Sequence, residues 1–259
     1  MFTVKLIFAK TLANEIDNVY FTKPLLKPLK SYNMNKDNYL KNNQRRSFLT
    51  KIAGAMGISF FVNQSGLQAA EPSEMAVGDW LNKLTGKHKM VFDVTQPHGI
   101  FPFAWPKVFL LTNKATGTPE KESNAVVVLR HNGIPYAMED RLWAKYKFGE
   151  FFGIDDPRTG KPALRNPMWQ PKEGEFKVPG IGPVAIGINE LQNSGVLFCV
   201  CEAAILVNST VVASKLELNS EDVKKDWMDG LLAGIQPVPS GVWAIGRAHQ
   251  HGCAYCAVT

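Results

Sequence analysis

From residue 71 onward the apolar residues alternate between two rhythms, one of helical and one of strand spacing. Val77, Trp80, Leu81 and Leu84 fall at helical spacing within Met75–Leu84, and Lys89–Val94 then reads as a first strand. Phe103–Asn113 predicts a helix. Asn124–Leu129 is an unbroken, β-branched apolar run, the pattern of a strand buried on both faces. Asp140–Phe152 is amphipathic, with Leu142, Trp143, Tyr146 and Phe151 on or near one face, and reads as one helix. Asp155–Pro183 is rich in proline and glycine and longer than an ordinary connection, so it reads as a loop insertion, either a lid or partner surface or an excursion without function. Val184–Asn193 is helix-compatible, Val196–Cys201 a strand, and Glu202–Ser214 and Asp222–Leu232 helices. Ile235–Val238 is a short strand, Gly241–His251 a helix and Cys253–Val258 a last strand. This alternation predicts an α/β domain over residues 74–259, built on a mostly parallel sheet with crossover helices.

Residues 1–70 follow a different pattern. They hold ten Lys and Arg against three acids, so of 29 basic and 23 acidic residues, 19 and 20 remain beyond them. The net charge of +6 thus belongs to the first segment. The rest is close to neutral and has no basic cluster interleaved with aromatics, which argues against nucleic acid as a partner. Within the segment, Arg45 and Arg46 are followed by Ser47, Phe48 and Leu49, then by the uncharged run Ile52–Val62 and by Gln68, Ala69 and Ala70. The order is that of a signal peptide. The 11 residues of Ile52–Val62 would rise only about 16 Å as a helix, too short for a stable membrane anchor. The paired arginines with Phe48 and Leu49 resemble the twin-arginine export motif, which implies passage through the twin-arginine (Tat) translocon to the periplasm or another exported location. Residues 34–70 are then the signal peptide, with Met34 as a natural start and residues 1–33 as a disordered leader or an over-long reading of the gene.

In open parallel sheets, ligands bind beyond the carboxyl ends of the strands, where loops and helix N-termini converge. The first strand runs out toward His98, the second into His131, Asn132 and Gly133, and the third into Cys201 and Glu202. Parallel strands place His98, His131 and Cys201 on one rim as candidate catalytic residues. Taken singly, each histidine reads as a turn or capping residue and the cysteine as an inert core residue. A helix after Cys201 would aim its N-terminal amides and positive dipole end at the sulfur and favour thiolate, the reactive form. The neighbouring carboxylate of Glu202 opposes this. Cys199 shares a strand face with Cys201 by the period of two and is the candidate resolving thiol.

All four cysteines, Cys199, Cys201, Cys253 and Cys256, fall late in the chain and read as one local site rather than a scaffold of disulfides. Three chemistries fit them: a reactive thiol, a four-thiolate zinc or iron–sulfur site, and plain disulfides in an oxidising compartment. The chain has no P-loop or dinucleotide glycine loop and no Gly-x-Ser-x-Gly elbow, which sets nucleotide and serine-hydrolase functions aside.

The runs Ser194–Ala204 and Gly234–Tyr255, with a Gly-Val strand ending at Cys201, Val-Pro-Ser-Gly-Val over 238–242 and a terminal Tyr255 strand, resemble the end of the DsrE/DsrF-like family of sulfur-relay proteins. The resemblance implies a Rossmann-like three-layer sandwich, assembly into trimers or hexamers, and a persulfide-carrying cysteine at Cys201 with a protein donor or acceptor of sulfur and no required cofactor. Cys199, Cys253, Cys256 and the proline-rich segment lie outside that family pattern. The expectation is an exported protein that transfers sulfur or exchanges thiols through Cys201. The alternatives are a non-catalytic oligomeric binding module, with a metal ion or small ligand on the C-terminal cysteines, and a structural oligomer whose cysteines form disulfides.

Overall fold

The computed structural model describes residues 79–258 apart from 179 and 181. The expected leader, the expected export signal and the expected start of the domain at residue 74 lie outside the described residues. Of the helix expected over Met75–Leu84, the described part is a 3-10 turn, Asp79–Lys83.

Five parallel strands make the central sheet: β1 (His88–Val94), β2 (Ser123–Leu129), β3 (Leu197–Cys201), β4 (Ile235–Val238) and β5 (Ala254–Val258). Their order is β4-β3-β2-β1-β5, and every neighbouring pair is parallel. Among the described residues seven α-helices accompany them: α1 (Phe101–Ala115), α2 (Asp140–Tyr146), α3 (Phe148–Phe152), α4 (Ile188–Asn193), α5 (Glu202–Leu216), α6 (Ser220–Asp229) and α7 (Gly241–Gln250). The α/β expectation holds, and nearly every strand lies within a residue or two of its reading in the sequence.

The period of two sorts the strand side chains into two cores. Phe92, Val94, Val127, Leu129, Phe198 and Val200 enter the larger core, which α1 to α6 cover through residues such as Phe103, Trp143, Ile205 and Trp227. Val91, Val126, Val128 and Cys199 point the other way, beneath Ala244 and Ala248 of α7, Leu81 of the 3-10 turn and Leu84 just after it. The result is a helix–sheet–helix sandwich with a broad face and a narrow face. The crossovers from β1 to β4 step in one direction along the sheet; the crossover through α7 steps back to the far side of β1, which is why α7 lies on the other face. Local signals fix the helix starts. Asn219 accepts hydrogen bonds from the amides of Glu221 and Asp222 ahead of α6, and Ser240 accepts one from the Trp243 amide ahead of α7.

One expectation needs correction. Asp140–Phe152 is two helices, divided by Lys147 in the left-handed conformation at φ 52°. The break brings Gly149 against the backbone of Ala163, where a Cβ at residue 149 would stand 2.0 Å from the Ala163 nitrogen. The segment Asp155–Pro183, read as a loop insertion, carries local order of its own. It contains two short antiparallel ladders, Asp155–Asp156 with Lys161–Pro162 and Lys177–Val178 with Gly182–Pro183. Arg165 spans it with a bidentate pair to Asp156 (2.8 and 2.9 Å) and a bond to Glu175 (2.8 Å), and Arg158 grips Glu175 a second time. Ala163, Met168 and Phe176 are buried in the broad-face core.

Candidate functional site

Cys201 ends β3 and caps α5, and its Sγ accepts a hydrogen bond from the Ala204 amide at 3.3 Å. This is the helix-terminal placement expected of it. The sheet register supplies its neighbours. Leu129 pairs with Val200, so Arg130, the next residue of the neighbouring chain segment, stands level with Cys201. Parity puts both on the narrow face. The Arg130 guanidinium makes a bidentate pair with Asp93 of β1, at 2.6 Å from Nε and 2.9 Å from Nη2. Asp93 is 4 % exposed and also accepts the Tyr255 hydroxyl of β5 at 2.8 Å.

A line of thiol, guanidinium, carboxylate and phenol therefore crosses four strands: Cys201, Arg130 and Asp93 lie at or next to the carboxyl ends of β3, β2 and β1, and Tyr255 reaches Asp93 from near the start of β5. The bond to Asp93 raises the Arg130 pKa against the opposing effect of burial, with a smaller contribution from Cys201. The same carboxylate, as a hydrogen-bond partner, raises that of Tyr255. Gly241, at the start of α7, rests on the Arg130 stem: a Cβ there would come within 2.6 Å of Arg130 Cδ. A larger residue at that position would push the guanidinium stem aside.

The other expected residues do not join this line. Cys199 lies on the same strand face as Cys201, as read, but it is fully buried under α7 and burial pushes its thiol pKa up. A thiol in that position is closed to molecules arriving at the rim, which argues against the resolving role. His98 and His131 do follow the ends of β1 and β2. Both are exposed and both occupy left-handed conformations, at φ 38° and 54°. Histidine is among the residues that adopt this region to turn the chain. His98 rests its ring on Phe101, centroids 5.4 Å apart, and among the described residues neither histidine hydrogen-bonds to Cys201.

The four-thiolate site is also undone by topology. β3 and β5 are separated by β2 and β1, three strand spacings of about 4.8 Å each, or about 14 Å. Cys253 joins the narrow-face core while Cys256 packs against the broad-face core. Among the described residues no three His, Cys, Asp or Glu side chains are grouped to hold a metal ion.

Asp93, Arg130 and Tyr255 were not singled out from the sequence. The available signal was Asp93 itself, a carboxylate inside an apolar run that must be buried on both faces, which obliges a cationic or hydrogen-bonding partner. A second feature also escaped: a cleft of about 620 Å³ on the broad face, beyond the ends of β1 and β2, lined in part by His98, Tyr136 and Phe176. Comparison of the chain with family models, with curated proteins and with solved structures found no match.

Proposed function

We propose that this chain is an exported, DsrE-like protein that carries sulfur or exchanges thiols through Cys201. The observation that supports this best is the setting of Cys201: its sulfur accepts the Ala204 amide at the start of a 15-residue helix and stands level with a guanidinium anchored by Asp93. The five-stranded parallel sheet with Cys201 at the end of its third strand supports the family resemblance. Arg45, Arg46, Phe48 and Leu49 support export. Phe101, Trp105, Val108 and Leu111, all exposed along α1, support association into a trimer or hexamer.

In the proposed reaction the Cys201 thiolate attacks the outer sulfur of a donor persulfide. The new S–S bond forms as the donor's S–S bond breaks, and the donor leaves as a thiolate that takes up the persulfide proton. No external oxidant is consumed. Arg130 offers its charge to the Cys201 persulfide anion. Because Cys201 is only 6 % exposed, the donor is a small sulfane compound or a persulfide on a slender tail. Cys199 is sealed in the core and Cys253 and Cys256 lie beyond two intervening strands, so the acceptor thiol comes from another molecule.

The test is intact-mass analysis of the wild type and Cys201→Ser after exposure to polysulfide. The wild type gains the mass of one sulfur atom, which dithiothreitol removes, and the variant gains none. Equal uptake by Cys201→Ser overturns the proposal.

A further inference from the structure

We infer that the broad-face cleft binds a small planar organic molecule that is neutral or cationic. The site is independent of the sulfur chemistry, since the cleft opens on the face opposite to Cys201. Its volume, about 620 Å³, falls in the range of small-ligand pockets, and it lies where open parallel sheets bind ligands, past the carboxyl ends of the strands.

The wall chemistry defines the ligand. Tyr136, Phe152, Met168 and Phe176 give it flat aromatic and soft thioether surfaces, which suit a planar, apolar body. Its polar lining includes Gln96, His98 and Asp155, and among the described residues no Lys or Arg side chain lines it. A carboxylate without a cationic counterpart in the lining disfavours anions and attracts a cation or a hydrogen-bond donor. The Tyr136 hydroxyl belongs to a side chain 2 % exposed and reaches the Pro97 carbonyl only at 3.4 Å, so its oxygen retains its capacity to accept.

The site is also built rather than incidental. Asn166, fully buried, donates to the carbonyls of Tyr136 and Met138 and accepts the Met168 amide, which fixes one wall to the other. Phe176 and Pro157 are held by the Asp156–Arg165–Glu175–Arg158 network that orders the proline-rich segment. That segment is therefore a wall of the cleft, and the ordered walls lower the conformational cost of binding.

The test is a titration of the full-length chain with benzamidine, indole and benzoate, followed through backbone amide shifts. Benzamidine and indole should saturate at about 1 mM or tighter and move the amides of Gly99, Gly153 and Ile154, while benzoate does not. Asp155 is exposed, so Asp155→Lys should fold; it should weaken benzamidine about tenfold or more and leave indole unchanged, with Asp155→Asn as a milder second variant. Cys201→Ser should change neither, which separates this site from the sulfur reading. Absence of saturable shifts at those amides with both probes, benzoate binding as tight as benzamidine, or benzamidine binding insensitive to both Asp155 variants overturns the inference.

Discussion

Removing either partner of the Asp93–Arg130 pair should cost nearly as much as removing both. Asp93 is 4 % exposed and takes two bonds from Arg130 and one from Tyr255, whereas Arg130 is 23 % exposed. Breaking a buried pair from one side typically costs 3–5 kcal/mol, because the remaining charge is left in a poorly polarisable surrounding. Arg130→Ala strands the more deeply buried group with only the Tyr255 hydroxyl, so about 4 kcal/mol is expected. Asp93→Ala leaves a guanidinium that can turn partly to water, and about 3 kcal/mol is expected. The double variant removes both charges and should cost about 4–5 kcal/mol, well under the sum of about 7, a coupling of about 2–3 kcal/mol. Urea unfolding at neutral pH reads this directly; with a slope of about 2 kcal/mol per molar, each single variant should move the midpoint by 1.5–2 M. Additivity within about 0.5 kcal/mol would refute the reasoning, since it would mean that the two side chains act independently.

Three further outcomes are expected. Burial opposes ionisation of Glu175, but Arg158, the Lys172 amide and Arg165 overcome it and hold its pKa at about 2, below the ordinary 4.5; the corresponding stability, about 3 kcal/mol, is complete above pH 4.5 and is lost as pH falls toward 2. Urea midpoints of Glu175→Gln should therefore lie below those of the wild type at pH 7 and converge with them near pH 2, and parallel pH profiles would count against this assignment. Cys199 should resist iodoacetamide until the domain unfolds, while Cys201 at the rim and the half-buried Cys256 react before it; peptide mapping of a labelling time course gives the order, and early labelling of Cys199 would contradict its position under α7. Gly149→Ala should destabilise by about 3 kcal/mol in thermal or urea unfolding, because its Cβ would meet rigid Ala163 backbone at 2.0 Å rather than a movable side chain.

Much of the fold was legible because strand and helix periods are local. Ile235–Val238 was read to the residue, and Cys201 was placed at a strand end and helix start from the switch of period alone. What failed were relations between distant segments. The histidines were grouped with Cys201 because all three follow strands, but a rim has two faces, and the turns at His98 and His131 set their directions after the strand period has ended. The cysteines were grouped because they are close in sequence. Nothing local records that the crossover after β4 reverses direction, which carries Cys253 and Cys256 to the far side of β1. The helix break at Lys147 depends likewise on Gly149 meeting Ala163, a contact that no period encodes. Asp93 could have been noticed, but Arg130 and Tyr255 follow from the register of β2 and β5 against β1.

The reversal after β4 has a consequence for how the molecule is made. Met90 pairs with Ala254, 254 − 90 = 164 residues later in the chain, so a growing polypeptide holds β1 with one bare edge through nearly all the synthesis of this domain. Such an open edge is a template for wrong pairing until the proper strand emerges. The bond from Tyr255 to Asp93 forms in the same late step. The row of polar groups beside Cys201 is therefore finished only when the sheet is, and a truncated product would lack both at once.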